Sequence, residues 1–413
     1  MSLHLAFVTV PAPGHTYPGL GLVRELTARG HRVSCVNTLR HADLIATTGA
    51  RLVPYDSVLP APDRGDAWPG DPVAQLDLFL DEARGMLPQL HRALSDDRPD
   101  LVLYDQAAYA ARVLAEQWKI PAVQLSSTFV PWEGYERDGA LAPLRDTPHG
   151  VAHLRACEKW LTANGIEDAD PVAFTTRPER GLVPVPRFLQ PRADEVNTDR
   201  YTFVGPLTPP VGRAAVPAGP EGDPAHDGWK DRRASATDKL LLVSLGSLFT
   251  DRPAVYRSCL DAFGGLPGWH VVMQTGPHVT AADLGPLPAN VEVHSWVPQL
   301  AVLRRADAFV THAGMGGTLE GLACAVPMIA VPYAADQFSN ARRIAELGAG
   351  RRIHPRDLTA DALRTALRAL DGDPRVRARL GELRETLYEG GGARRAADLI
   401  ETFAHSRRAT QEA

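Results

Sequence analysis

Lysine is scarce in this 413-residue chain: only Lys119, Lys159, Lys230 and Lys239 occur, and arginine supplies the other basic positions. The bias suits a GC-rich genome and carries no functional message. Charge of one sign is not in excess either, with 44 Lys and Arg against 49 Asp and Glu, so neither nucleic acid nor an acidic membrane surface is an expected partner. Cysteine is sparse and scattered. Cys35, Cys157, Cys259 and Cys324 form no CxxC pair and have no His at zinc spacing, which fits reduced thiols in a cytoplasmic protein. No apolar run reaches the ~20 residues that span a bilayer, and the opening MSLHLAFVTVPAPGH lacks the basic region and cleavage site of a signal peptide. Several motifs are missing as well. Without GxGxxG after the first strand or GxxxxGK[ST] anywhere, dinucleotide oxidoreductases and P-loop NTPases lose their main support. Without GxSxG, Ser126, Ser127 and Thr128 have nothing to mark a hydrolase nucleophile.

What is present is a repeated alternation of strand and helix. Short apolar runs at His4–Val10, Arg32–Asn37, Arg51–Tyr55, Leu101–Tyr104 and Pro121–Leu125 read as strands, and Leu20, Leu22, Val23 and Leu26 recur at helical spacing between the first two. The pattern stops from about Pro206 to Asp238, where Pro, Gly, Ala and charged residues dominate, and this stretch is the best linker. It restarts with strands at Lys239–Ser244, His270–Gln274, Val291–Ser295, Ala308–Thr311 and Met328–Val331. Helices are expected at Ala254–Phe263, after Pro298, at Thr318–Ala325 and at Asn340–Leu347. An amphipathic tail runs from Asp361 to about Ala404, broken at Gly390–Gly392. The expected fold class is therefore α/β, with two Rossmann-like, doubly wound parallel-sheet domains facing a cleft. Expected boundaries are 1–205, a linker over 206–238, 239–390, and a C-terminal helix over 391–413.

In open parallel sheets ligands bind at the carboxyl ends of the strands, and the unusual residues sit there. His15 follows the first strand by one turn and Asp105 closes the strand Leu101–Tyr104. A carboxylate that fixes a His tautomer makes a general base; capping of a turn and a helix explains the pair about as well. The run THAGMGGTLEG, Thr311–Gly321, brings His312, Gly314, Met315, Gly316, Gly317 and Thr318 to one helix start. Glycines permit close backbone approach and helix N-terminal amides attract phosphate, so diphosphate binding is favoured over mere tight packing. Glu320 suits ribose hydroxyls or the helix dipole. Trp296, followed by Val297 and Gln299, could stack on a base or belong to the core. Asp336 and Gln337 offer a carboxylate and an amide side by side, as adjacent sugar hydroxyls require, unless they only line a solvated loop. The DxD spacings Asp168–Asp170 and Asp371–Asp373 fall in polar stretches, so no metal site is expected.

The ordered set Trp296–Pro298–Gln299, His312-Ala-Gly-Met-Gly-Gly-Thr318, Glu320, Pro327, Pro332 and Asp336–Gln337 resembles the donor-binding signature of inverting UDP-glycosyltransferases with the GT-B fold. The likeness extends over nearly the whole chain. It is strongest to the actinomycete macrolide glycosyltransferases, through the N-terminal PGH, RPDLVLYD, VQLSSTFV and YTFVGP. It implies His15 as the base and Asp105 as its partner. Trp296 would stack on uracil, with Val297 and Gln299 near base and ribose. His312, Gly314, Met315, Gly316, Gly317 and Thr318 would surround the diphosphate, bordered by the Gly246–Ser247 turn. Glu320 would take the ribose, and Asp336 and Gln337 the hexose. Thr318 stands where relatives often carry Ser or Asn. The resemblance further implies a UDP-sugar co-substrate, glucose favoured, with no metal or other cofactor, and a C-terminal helix that returns to the N-terminal domain.

The expected acceptor is a small, apolar, hydroxylated natural product such as a macrolide. Trp68, Phe79, Met86, Phe129, Trp132 and Tyr135 lie in stretches of weak pattern and are candidates to line its pocket. Two alternatives remain at this level: a TDP-deoxysugar donor, and a sugar-nucleotide epimerase of the same fold. A monomer or homodimer without integral membrane association is expected.

Overall fold

The computed structural model describes residues 2–61, 68–135, 142–209, 229–247, 250–334 and 336–411, with side chains described as far as 405. The chain divides into two compact units, one made of residues 1–209 and 388–413 and the other of residues 210–387. Of the expected linker, residues 210–228 lie outside the described residues. Residues 229–238 belong to the second unit, where Arg233 pairs with Asp231 at 2.7 Å and Arg305 lies over the Trp229 ring.

The first unit holds a seven-stranded sheet: β1 (His4–Val8), β2 (Arg32–Asn37), β3 (Arg51–Pro54), β4 (Leu101–Asp105), β5 (Ala122–Leu125), β6 (Gly181–Val183) and β7 (Tyr201–Phe203). The spatial order is β3-β2-β1-β4-β5-β6-β7, and every pairing is parallel. β1 and β4 are buried along their whole length, because helices cover both faces of a parallel sheet, and this is why both read as continuous apolar runs. β6 and β7, three residues each, were not expected from the sequence.

The second unit holds β8 (Lys239–Ser244), β9 (Trp269–Gln274), β10 (Val291–His294), β11 (Ala308–Thr311), β12 (Met328–Ala330) and β13 (Gly350–Arg352), in the order β10-β9-β8-β11-β12-β13 and again all parallel. Both sheets thus have a topological switch point, where the strand order reverses: between β1 and β4 in one, and between β8 and β11 in the other. Ligand crevices of open parallel sheets form there.

Two expectations about helices are corrected. The stretches with Phe79 and Met86 showed little pattern, yet they lie in a 23-residue helix, Pro72–Leu94. Its Pro88 and interspersed charges blur the apolar spacing, while the Asp71 side chain caps it by accepting from Ala74 N. The tail after Asp361 is three helices, Ala360–Leu370, Pro374–Thr386 and Gly392–Gln411. The last of these belongs to the first unit. Ala396, Ala397, Ile400 and Ala404 enter the same buried cluster as Leu5, Phe7, Leu22, Leu26 and Val33. Arg29 and His31 fasten it by polar contacts to Asp398 at 2.7 Å and Glu401 at 2.9 Å.

Candidate active site

At the switch point of the first sheet, Val8 of β1 pairs with Tyr104 of β4, so the two strands end level. The helix Pro13–Ala28 starts just past β1, with Pro13 in the first position, where a missing N–H costs nothing. His15 therefore sits in the first helical turn, and Asp105 is the last residue of β4. Nδ1–H of His15 donates to Asp105 Oδ1 at 2.7 Å. The carboxylate is 2% exposed and the imidazole 24% exposed, so the acid is sealed behind a base that solvent or a ligand can reach. The second oxygen, Asp105 Oδ2, is buried without a hydrogen-bond partner. Two separate caps would not produce this arrangement. With Nδ1 committed to the carboxylate, Nε2 is the nitrogen able to take a proton.

Phe79, from the helix Pro72–Leu94, lies 6.2 Å from the His15 ring and 5.9 Å from Trp68 between centroids. An aromatic run thus leads up to the His15 ring. Trp132 and Tyr135 form a separate edge-to-face pair at 4.9 Å. Phe129 is half-buried, and Met86 is buried at 1% exposure on the inner face of its helix. Sequence reasoning missed Glu82, one helical turn from Phe79. Its buried carboxylate accepts from Tyr55 O–H at 2.6 Å and from Val58 N–H at 2.8 Å, and so fixes the helix that carries Phe79.

At the switch point of the second sheet, Ser244 of β8 pairs with Thr311 of β11. Gly246 and Ser247 follow one strand and His312 follows the other. Gly246 has φ +81°, and a Cβ built on it would lie 2.6 Å from His312 Cε1; a Cβ on Gly314 would lie 2.4 Å from His312 Nε2. The imidazole is held between two glycines because nothing larger fits. Its Nδ1 is buried without a partner, and burial pushes its pKa down to about 4, leaving the ring neutral near pH 7.

The helix expected from Thr318 starts earlier, at Met315, with Gly314 as its N-cap and no side-chain cap. Glycine's low interior propensity misleads here. The first turn needs no intrahelical N–H bond, so glycines at its second and third positions cost little. The correction moves the open amides to Met315, Gly316 and Gly317. It takes Thr318 away from the helix mouth: its N–H and its hydroxyl both donate to Gly314 O at 2.9 Å. Glu320 likewise leaves the first turn. Its carboxyl accepts from Gln299 Nε2 at 2.5 Å, and burial raises its pKa against that hydrogen bond.

Trp296 is 55% exposed, far more than a core indole, while Val297 beside it is buried. Gln274, closing β9, was not singled out from sequence. Its Oε1 accepts from Val297 N at 3.1 Å and its Nε2 donates to Gly246 O at 3.1 Å, so one amide ties the Trp296 loop to the glycine turn. A polar residue ending the apolar run HVVMQ was the available signal. The helix expected from Asn340 begins at Gln337, with Asp336 as N-cap. Gln337 Oε1 accepts from Tyr333 N and Ala334 N at 2.8 and 3.0 Å, which turns its NH2 away from that turn. Asp336 Oδ2 accepts from Asn340 Nδ2 at 2.8 Å.

Three of the four DxD acids are engaged elsewhere. Asp170 caps the helix Pro171–Thr176, Asp373 caps the helix Pro374–Thr386, and Asp371 binds Lys239 at 2.6 Å. Among the described residues no group of three or more His, Cys, Asp or Glu is placed to hold a metal ion, and no helix is long and apolar enough to cross a membrane. All four cysteines are buried and none is in a disulfide.

Residues 205–383 match the family described as UDP-glucoronosyl and UDP-glucosyl transferase. Over 99% of its length the chain is 49% identical to the oleandomycin glycosyltransferase of Streptomyces antibioticus, of which it covers 93%. The chain belongs to the UDP-glycosyltransferase family. It is also 34% identical to the demethyllactenocin mycarosyltransferase of Streptomyces fradiae, over 96% of this chain and 86% of that protein. Among solved structures, the glycosyltransferase of kitacinnamycin is 48% identical with a TM-score of 0.87, covering 98% of this chain and all of the other. The calicheamicin glycosyltransferase is 33% identical with a TM-score of 0.79, covering 97% and 98%. This glycosyltransferase accordingly has the GT-B fold, two Rossmann-like units.

Proposed function

We propose that this glycosyltransferase is an inverting enzyme that moves a hexose, glucose by preference, from a UDP-sugar to a hydroxyl of a macrolide or another small natural product. The observation that carries the reading is the 2.7 Å bond from His15 to a buried Asp105 at the switch point of the first sheet. A His so oriented can take a proton from an acceptor hydroxyl, and the Phe79–Trp68 run gives an apolar acceptor a surface beside it. The names of the relatives, an oleandomycin glycosyltransferase among them, support an acceptor of this class.

The step balances in one displacement. The acceptor oxygen bonds to the anomeric carbon as the carbon–oxygen bond to the diphosphate breaks. The hydroxyl proton passes to His15 Nε2, and the nucleoside diphosphate leaves with the bonding electrons. The open amides of Met315, Gly316 and Gly317 and the unpartnered His312 Nδ1 are suited to the charge that develops on the leaving group, with no metal in the scheme. Trp296 provides an exposed platform for the base, Glu320 a carboxyl for the ribose, and Asp336 with Gln337 partners for hexose hydroxyls.

The test is mass spectrometry of products formed from UDP-glucose with a panel of macrolides, flavonoids and phenols. A gain of one hexose is expected, and its anomeric configuration by NMR should be opposite to that of the donor. Turnover confined to TDP-deoxysugars would replace the donor; the mycarosyltransferase relative keeps that second reading in view. The relatives reported above are all glycosyltransferases, and nothing favours an epimerase. Replacing His15 with Ala should lower kcat by about 100-fold or more while leaving nucleoside diphosphate binding unchanged.

A further inference from the structure

We infer that Asn340 is a positioning residue that sets the diphosphate loop and the sugar-binding carboxylate at a fixed spacing, so that nucleotide and sugar are recognised as one object. The inference rests on the donor site proposed above. Asn340 is fully buried in the first turns of the helix Gln337–Glu346. Its Nδ2 donates to Ala313 O at 2.9 Å and to Asp336 Oδ2 at 2.8 Å. Both partners are acceptors, so the amide nitrogen is the only atom that fits there and the side chain cannot be flipped.

Each partner is a residue whose placement matters. Ala313 stands between His312 and Gly314 and has φ +62°, a left-handed conformation that disfavours any residue with a Cβ. Thr311 Oγ1 accepts from its N–H at 3.1 Å, and Asn340 donates to its carbonyl. The strained residue is therefore gripped from both sides, and its turn points His312 between the two glycines. Asp336 is the carboxylate proposed for the hexose. One side-chain nitrogen thus joins the loop after β11 to the loop after β12.

Apolar packing does not explain the residue. Asn340 Oδ1 is buried and has no hydrogen-bond partner. An orphaned amide oxygen is costly, and an apolar side chain of similar volume would remove that cost only by leaving the Ala313 carbonyl and Asp336 without this donor. What Asn340 has that an apolar residue lacks is a nitrogen with two hydrogens aimed at two functional loops.

The test uses Asn340→Ala and Asn340→Asp in the full-length protein, with donor and acceptor KM, kcat and the Ki of UDP measured for each. Removing two buried donor bonds is expected to raise donor KM and the Ki of UDP by about 10-fold, with acceptor KM unchanged. Asn340→Asp preserves volume but sets a carboxylate against Asp336 and the Ala313 carbonyl, so it should be at least as impaired as Asn340→Ala. An Asn340→Asp enzyme with the wild-type donor KM would reduce the residue to packing and overturn the inference. If neither variant folds, hydrogen exchange on the unaltered protein decides. UDP, which carries no sugar, should slow exchange of the amides of 336–340 together with those of 312–317. Protection confined to 312–317 would overturn the coupling. No protection of 312–317 would overturn the donor site itself, and the inference with it.

Discussion

A neutral imidazole beside a phosphate site behaves differently from a charged one. His312 is pushed down to about 4 by burial, so its ring resists protonation until well below pH 6.5. A bound diphosphate stabilises the imidazolium and raises that pKa. Between the two values the complex holds a proton that the free protein lacks, so UDP binding should take up protons at about pH 5 and almost none at about pH 7.5. Calorimetry in buffers of different ionisation enthalpy measures this. The UDP phosphate also titrates near pH 6, so the quantity of interest is the excess uptake over His312→Gln. No excess would mean that Nδ1 does not meet the diphosphate. The sign for stability is the opposite of a salt-bridged His. The unfolded chain binds the proton first, so this group makes folding less favourable as the pH falls from 6.5 toward 4.

At the scale of elements, strand ends were legible in the sequence, and helix starts were legible where a proline marks them, as at Pro253–Phe263 and just after Pro298. Strands buried on both faces are unbroken apolar runs, so His15, Asp105, Gly246 and His312 declare themselves by where the runs stop. Helix starts at Met315 and Gln337 were read three residues late, because glycine and the Asp336 turn look like loop to any propensity argument. The braces Gln274, Asn340 and Glu82 are long-range contacts between segments with no shared pattern, and nothing local announces them. The proposed acceptor surface was the least legible part, since Trp68 and Phe79 meet only through the fold. Two glycines of one motif should now behave oppositely. A Cβ at Gly314 runs into His312, whereas a Cβ at Gly316 meets nothing within 4 Å. Gly314→Ala should displace the imidazole, lower Tm and weaken UDP binding. Gly316→Ala, in the first turn where glycine costs little, should leave the Tm without ligand unchanged or slightly raised.

For the whole molecule, the decisive fact is that the first unit is discontinuous in sequence. Its closing helix comes from residues 392–411, and Gly392 N donates to Val204 O at 2.7 Å where the chain re-enters. Ile400 is fully buried in the cluster built on β1 and β2. Ile400→Ala should cost about 2–5 kcal/mol, seen as a lower urea midpoint for the first unit, while UDP binding to the second unit is retained.

The same discontinuity orders events on the ribosome. Synthesis runs from the N-terminus, so the second unit, residues 210–387, is complete while the first still lacks its last helix. The second unit therefore has all its residues before the unit that emerged first, and residues 392–411 must be made before the first unit can close. A chain ended at residue 209 should remain protease-sensitive, and adding residues 388–413 as a separate peptide should restore resistance. A product cut short before residue 392 leaves the apolar cluster of the first unit uncovered and open to quality control.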